Sequence, residues 1–155
     1  MKKSTKKGFT LIELMIVLAI IAILAMVLVP KAGIFKTQSK SAGVYTNVNT
    51  VRAYLENKVG DNFIKNDEAA VAAAINTAFT GEGFQNPLSN QNTIVSAVVD
   101  DKANAPAVLV VASTTVVKAG DHLGTVIVKY NSTGKTYEVY GIDQGGSPVS
   151  TTTIK

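Results

Sequence analysis

Cysteine and tryptophan are missing from the 155 residues, and histidine occurs once. Without a thiol there is no disulfide, no thiolate nucleophile, no zinc–thiolate site and no lipid attached through cysteine, so an exported domain must hold together by packing. The single histidine, His122, stands beside Asp121 in a glycine-flanked turn. Neighbours on an extended chain point to opposite faces and no second histidine exists, which argues against a base or a metal ligand. Asp100-Asp101 lacks the further spaced oxygen ligands of a calcium loop and reads as a solvated turn. No phosphate-cradling glycine motif and no G-x-S-x-G is present. Asn131-Ser132-Thr133 fits a glycosylation acceptor, yet a hairpin tip calls for the same residues on conformational grounds. These absences describe a chain with no catalytic residues, no metal site and no cofactor.

Aromatic residues are also scarce, 6% against a hydrophobic share of 46%, so the apolar content is aliphatic, and much of it lies near the N-terminus. The net charge of +4 is similarly localised. Four of the fifteen basic residues are Lys2, Lys3, Lys6 and Lys7, and the other eleven are matched by eleven acidic ones. The positive charge belongs to a leader, not to a nucleic-acid-binding face.

Phe9 to Val29 reads FTLIELMIVLAIIAILAMVLV. As a helix rising about 1.5 Å per residue it matches a hydrocarbon thickness of about 30 Å. The lysines before it place the N-terminus in the cytoplasm and the residues after Pro30 outside. A cleaved secretory signal has an apolar core of only about 7 to 15 residues, shorter than this run. The run also contains Glu13, and an ionisable group inside a membrane costs roughly 2 to 3 kcal/mol even on insertion scales. A plain anchor would gain by losing it. Cleavage between Gly8 and Phe9 gives the acid a purpose, because it creates an α-amine four residues before Glu13. Glu13 of one subunit can then pair with the Phe9 amine of its neighbour and set axial register, since any other offset leaves two buried charges unpaired. Pro30 either kinks a helix that continues beyond it or marks the membrane exit.

The string Lys6-Lys7-Gly8-Phe9-Thr10-Leu11-Ile12-Glu13, with the aliphatic run and Pro30 behind it, closely resembles the class III signal of type IV prepilins, over about the first fifth of the chain. The resemblance implies that prepilin peptidase removes leader residues 1–8 and that the same enzyme N-methylates Phe9. It implies a transmembrane and assembly helix at 9–29, with an extracytoplasmic head at 30–155. The implied partners are other copies of the chain in a helical homopolymer, the assembly ATPases and a platform protein of the pilus machinery. The subunit would rest in the cytoplasmic membrane before assembly and lie on the cell surface afterwards, serving adhesion, twitching motility or aggregation. In the family, the helix around the matching proline becomes partly extended in the fibre. A pseudopilin of a type II secretion system, a minor pilin and a monomeric membrane-anchored binding module remain alternatives. The chain lacks the Pro-rich segment and calcium loops of the major pseudopilins, and it departs from the many Gram-negative pilins whose C-terminal region is closed by a disulfide.

Beyond Pro30, Val44, Val48, Val51, Leu55 and Val59 recur at helical spacing and predict an amphipathic helix that stops at Gly60. With the anchor this makes one helix from about Phe9 to Val59, apolar all round at first and on one face later. Asp67–Phe79 reads as a second helix stopped by Gly81 and Gly83. From Thr93 the composition turns to Val, Thr and Tyr, predicting strands near 93–99, 107–112, 114–118, 124–131 and 135–142. The last two form a hairpin through Asn131–Gly134. Residues 143–155 read as a loosely held tail. The expected fold is α+β: a long N-terminal helical spine, transmembrane then amphipathic, packed on an antiparallel sheet in a head resembling that of pilins.

Overall fold

The computed structural model describes residues 8–59 and 67–155; residues 1–7 of the predicted leader 1–8, the predicted helix stop at Gly60 and the side chain of Pro30 lie outside the described set. Helix α1 runs Leu11–Val59 and is helical through position 30. The chain divides into two units, residues 1–36 and 37–155.

The first unit is the apolar part of α1. Leu11–Val29, 19 residues, is the one stretch among the described residues long and apolar enough to cross a membrane. Every side chain from Phe9 to Val29 is exposed, so this surface has no cover within its own unit.

The second unit combines the amphipathic part of α1 with helix α2 (Glu68–Phe79) and a five-stranded sheet. Asp67 caps α2, its Oδ1 accepting the Ala70 N–H at 2.6 Å; the predicted helix is present, with its first predicted residue serving as the cap. The strands are β1 (Ile94–Val95), β2 (Val108–Ala112), β3 (Val126–Asn131), β4 (Thr136–Ile142) and β5 (Pro148–Ile154), in that spatial order. β3 and β4 form the predicted hairpin, with Val126 opposite Gly141, Val128 opposite Val139 and Tyr130 opposite Tyr137. Its tip is closed by Gly134 N–H donating to Asn131 Oδ1 at 2.9 Å. Asn131 is thus engaged in the turn.

Three details of the head differ from expectation. The sheet is mixed: β1–β2 and β2–β3 pair in parallel, and β3–β4 and β4–β5 antiparallel. A parallel pair needs a connection of about a dozen residues that carries the chain back to the starting end, and residues 96–107 and 113–125 supply two. Residues 114–118, predicted as a strand, belong to the second of these crossings: Val116 is exposed, while Val117, Ala119 and Leu123 pack against Leu109, Val111, Ile127 and Ile142. Finally, the predicted tail contains β5, which pairs Ile154 with Tyr137 and Val149 with Gly141. Its β-branched residues suit a strand, and Ile154 and Val149 join the core.

Val44, Val48, Val51 and Leu55, all with no exposed surface, meet Val108, Val110, Val126, Val128, Tyr137 and Val139 on one face of the sheet, and Val71 and Ile75 of α2 complete this core. Gly141 lets β4 approach the helix closely: a Cβ there would stand 2.5 Å from Val44 Cγ1 and 2.8 Å from Val48 Cγ2. The opposite face carries the smaller cluster around Leu109 and Ile127.

A buried amide joins the irregular segments. Asn86 Nδ2 donates to Leu123 O at 2.9 Å and Pro106 O at 3.0 Å, and its Oδ1 accepts the N–H groups of Leu88 (2.8 Å) and Ser89 (3.2 Å). Gly124, at φ +80°, leaves room for it, because a Cβ there would collide with Asn86 Oδ1. Asn86→Ala strands these buried groups, and each unsatisfied group costs about 1–3 kcal/mol; urea denaturation should read a loss of at least about 2 kcal/mol.

Tyr137 has the opposite problem. Its hydroxyl is buried without a hydrogen-bond partner among the described residues. Burial, then the neighbouring Tyr130, pushes its pKa up from 10.0 to about 12. The folded state prefers the neutral phenol, so the associated stability is whole below pH 10 and is lost as pH rises through about 12. Tyr137→Phe should leave neutral-pH stability unchanged or slightly raised, and should flatten the decline in melting temperature above pH 10.

Candidate assembly site at the helix N-terminus

Gly8 and Phe9, just before the apolar helix, and Glu13, within its first turn, carry the predicted processing and assembly chemistry. Gly8, Phe9 and Thr10 precede α1 and are exposed. The first helical hydrogen bond runs from Leu14 N–H to Thr10 O at 3.3 Å, which makes Thr10 the N-cap. Thr10 Oγ1 accepts the Glu13 N–H at 3.3 Å, while Glu13 Oε2 accepts both the Thr10 N–H at 2.8 Å and the Thr10 hydroxyl at 2.7 Å. The two residues therefore form a reciprocal capping box.

This arrangement corrects one premise of the sequence argument. The acid has a partner within its own chain, supplied by Thr10, in addition to any amine from a neighbour. Residues T-x-x-E directly before an apolar run are the recognised pattern for such a cap, so the signal was present in the sequence. The carboxylate also complements the positive end of the helix. Oε1 makes no hydrogen bond among the described residues, so one oxygen fixes the side chain and the other is uncommitted. An acid held this way is oriented toward the chain's N-terminal end and retains capacity for a cation.

The weaker candidates in the head are accounted for structurally. His122 is wholly buried, and both ring nitrogens lack a hydrogen-bond partner among the described residues. Its Nε2 lies 3.6 Å from Asp100 Oδ1. Asp100 is engaged by Lys118, Nζ to Oδ2 2.8 Å, and that hydrogen bond holds its carboxyl below the ordinary range. Asp101 accepts from the Asn104 side chain at 2.8 Å and from the backbone N–H groups of Ala103 and Asn104, which makes it a turn residue. No group of three or more metal-ligating side chains occurs among the described residues.

Comparison with known proteins places the same segment. Residues 3–29 match the prokaryotic N-terminal methylation motif. The matched segment is thus similar to the N-terminus of type IV prepilins, and the apolar helix with its α+β head gives a pilin-like architecture. A counterpart is the type IV major fimbrial protein FimA of Dichelobacter nodosus, 44% identical over 59 residues. That match spans 38% of this chain and 38% of the fimbrial protein's length. No solved structure gives a significant match.

Replacing Thr10 by Val removes the hydroxyl that accepts the Glu13 N–H and donates to Glu13 Oε2, while the Thr10 backbone N–H still reaches Oε2. A lost N-cap costs about 0.5–2 kcal/mol. Hydrogen exchange in micelles should be faster at the amide of Glu13 in Thr10→Val, and unchanged in the turns beyond.

Proposed function

We propose that the chain is the structural subunit of a type IV pilus. The observation that carries this reading is the helix surface from Phe9 to Val29, apolar and exposed on every side yet capped by an oriented acid. Such a surface calls for lipid before assembly and for copies of itself afterwards. The methylation motif and the fimbrial relative support the same reading.

In this account prepilin peptidase cuts between Gly8 and Phe9, and the enzyme methylates the Phe9 amine. Residues 1–8 are the leader, 9–29 the membrane and assembly helix, and 30–155 the extracytoplasmic part. The lysines of the leader hold the N-terminus in the cytoplasm until processing. In the fibre, Glu13 keeps its Thr10 contact through Oε2 and offers Oε1 to the amine of an adjacent subunit, so that axial register follows from charge pairing in an apolar surround. Pro30 supplies no N–H to the Met26 carbonyl, and we assign to it the point at which the helix loosens on assembly. The platform protein and assembly ATPases draw the subunit from the membrane, and the fibre serves adhesion, motility or aggregation.

Mass spectrometry of fibres sheared from cells tests the processing step: the subunit should begin at Phe9 and carry one additional methyl group. A subunit retaining its lysines would overturn the reading. Glu13→Ala should leave leader removal largely intact while abolishing fibres in electron micrographs; fibres of normal abundance would remove the register argument.

A further inference from the structure

At the C-terminal end of α2 the chain turns through Gly81 and Gly83, then returns along residues 92–94, leaving a cleft of about 480 Å³. That volume lies within the range of small-molecule sites, about 300–1,000 Å³. Phe79 and Phe84 form one wall, their rings stacked at 4.9 Å with planes 21° apart. Tyr54 braces Phe79 edge-on at 5.5 Å, so the aromatic wall is fixed from behind. Both phenylalanines are half-buried and line the cleft with part of their remaining surface. The two glycines, with φ of +89° and +68°, would have nothing within 4 Å of an added Cβ, so the rim is low and open.

The polar lining is uniform in kind. Asn76, Gln85 and Asn92 contribute carboxamides and Thr93 a hydroxyl, and none of these side chains makes a hydrogen bond among the described residues. Among the described residues no Asp, Glu, Lys or Arg lines the cleft. Carboxamides carry donors and acceptors together, which matches a ligand whose rim is made of hydroxyl groups that both donate and accept. Aromatic rings with an apolar face and a polarised edge suit a ligand with one face of C–H bonds. A pyranose ring has both properties. Nucleic acid strands need cations for their phosphates as well as rings for their bases, and no cation lines the cleft among the described residues. A docked amphipathic helix needs a continuous apolar groove, which three carboxamides interrupt.

We propose that this cleft binds a neutral saccharide, the sugar's C–H face lying against the Phe79–Phe84 wall and its hydroxyls meeting Asn76, Gln85 and Asn92. The site belongs to the head and is independent of the N-terminal assembly chemistry, so it stands or falls separately from the filament reading.

The test uses the full chain in a detergent without a sugar headgroup, with saturation-transfer NMR on lactose, chitobiose and maltotriose at millimolar concentration, beside 3′-sialyllactose and a thymidine decamer. Saturation should pass to at least one neutral sugar, most strongly to the C–H protons of one ring face. Phe84→Ala should weaken binding about tenfold or more, the scale of a lost aromatic contact of about 1.5 kcal/mol. Asn76→Ala combined with Asn92→Ala alters exposed side chains only, so it should weaken binding with melting temperature unchanged, and it keeps the test decisive if the Phe84 variant fails to fold. Absence of transfer to every neutral sugar, transfer to the decamer or the sialylated sugar alone, or binding that survives the Asn76/Asn92 pair would each overturn the assignment.

Discussion

The head is built on one contact, the stripe Val44, Val48, Val51 and Leu55 against the sheet. Burying each such side chain is worth roughly 1.5–3 kcal/mol, and four of them on successive turns leave the helix one way to face. Gly141 is what brings β4 close enough for the stripe to seat. The same helix also carries, at 11–29, a surface that no single stripe of contacts could cover, because it is apolar on every side. One polypeptide helix therefore satisfies two different solvents, and the change occurs where polar residues return around Lys36–Ser41 and restrict the apolar positions to one face.

The long helix, the second helix and the β3–β4 hairpin were legible because each rests on local periodicity: spacings of three and four in α1, the capped run Asp67–Phe79, and the alternation of Val126, Val128 and Tyr130. The parallel pairings were hidden because strand direction depends on where connections lead. A signal did exist. Val108-Leu109-Val110-Val111 and Val126-Ile127-Val128 are continuous apolar runs, as strands buried on both faces require, and both faces of the sheet do carry clusters. The segment 114–118 has strand-like composition because Val117 must pack on the second face while crossing it. The β5 strand was obscured by its Ser and Thr residues, most of which face outward on an edge, with Val149 and Ile154 turned inward.

At the N-terminus the feature read from the sequence was an acid where hydrocarbon was expected, and the one missed was its capping partner three residues earlier, although the T-x-x-E pattern was present. Thr10 occupies Oε2 and leaves Oε1 uncommitted, so the carboxylate is held in one orientation instead of sampling many. The cleft beside Phe79 and Phe84 was not legible at all, because its walls come from the end of a helix and a returning loop whose proximity is tertiary.

A domain without disulfides leans on groups that can fail chemically, and the buried amide of Asn86 is the one that ties three segments together. Asparagine ordinarily ages when the next backbone nitrogen attacks its side-chain carbonyl and ammonia leaves through a cyclic imide. The residue following Asn86 is Pro87, whose nitrogen bears no hydrogen and cannot close that ring. The linchpin of the head is thereby shielded from deamidation by that route, and it keeps its neutral amide where a carboxylate would face the carbonyls of Pro106 and Leu123.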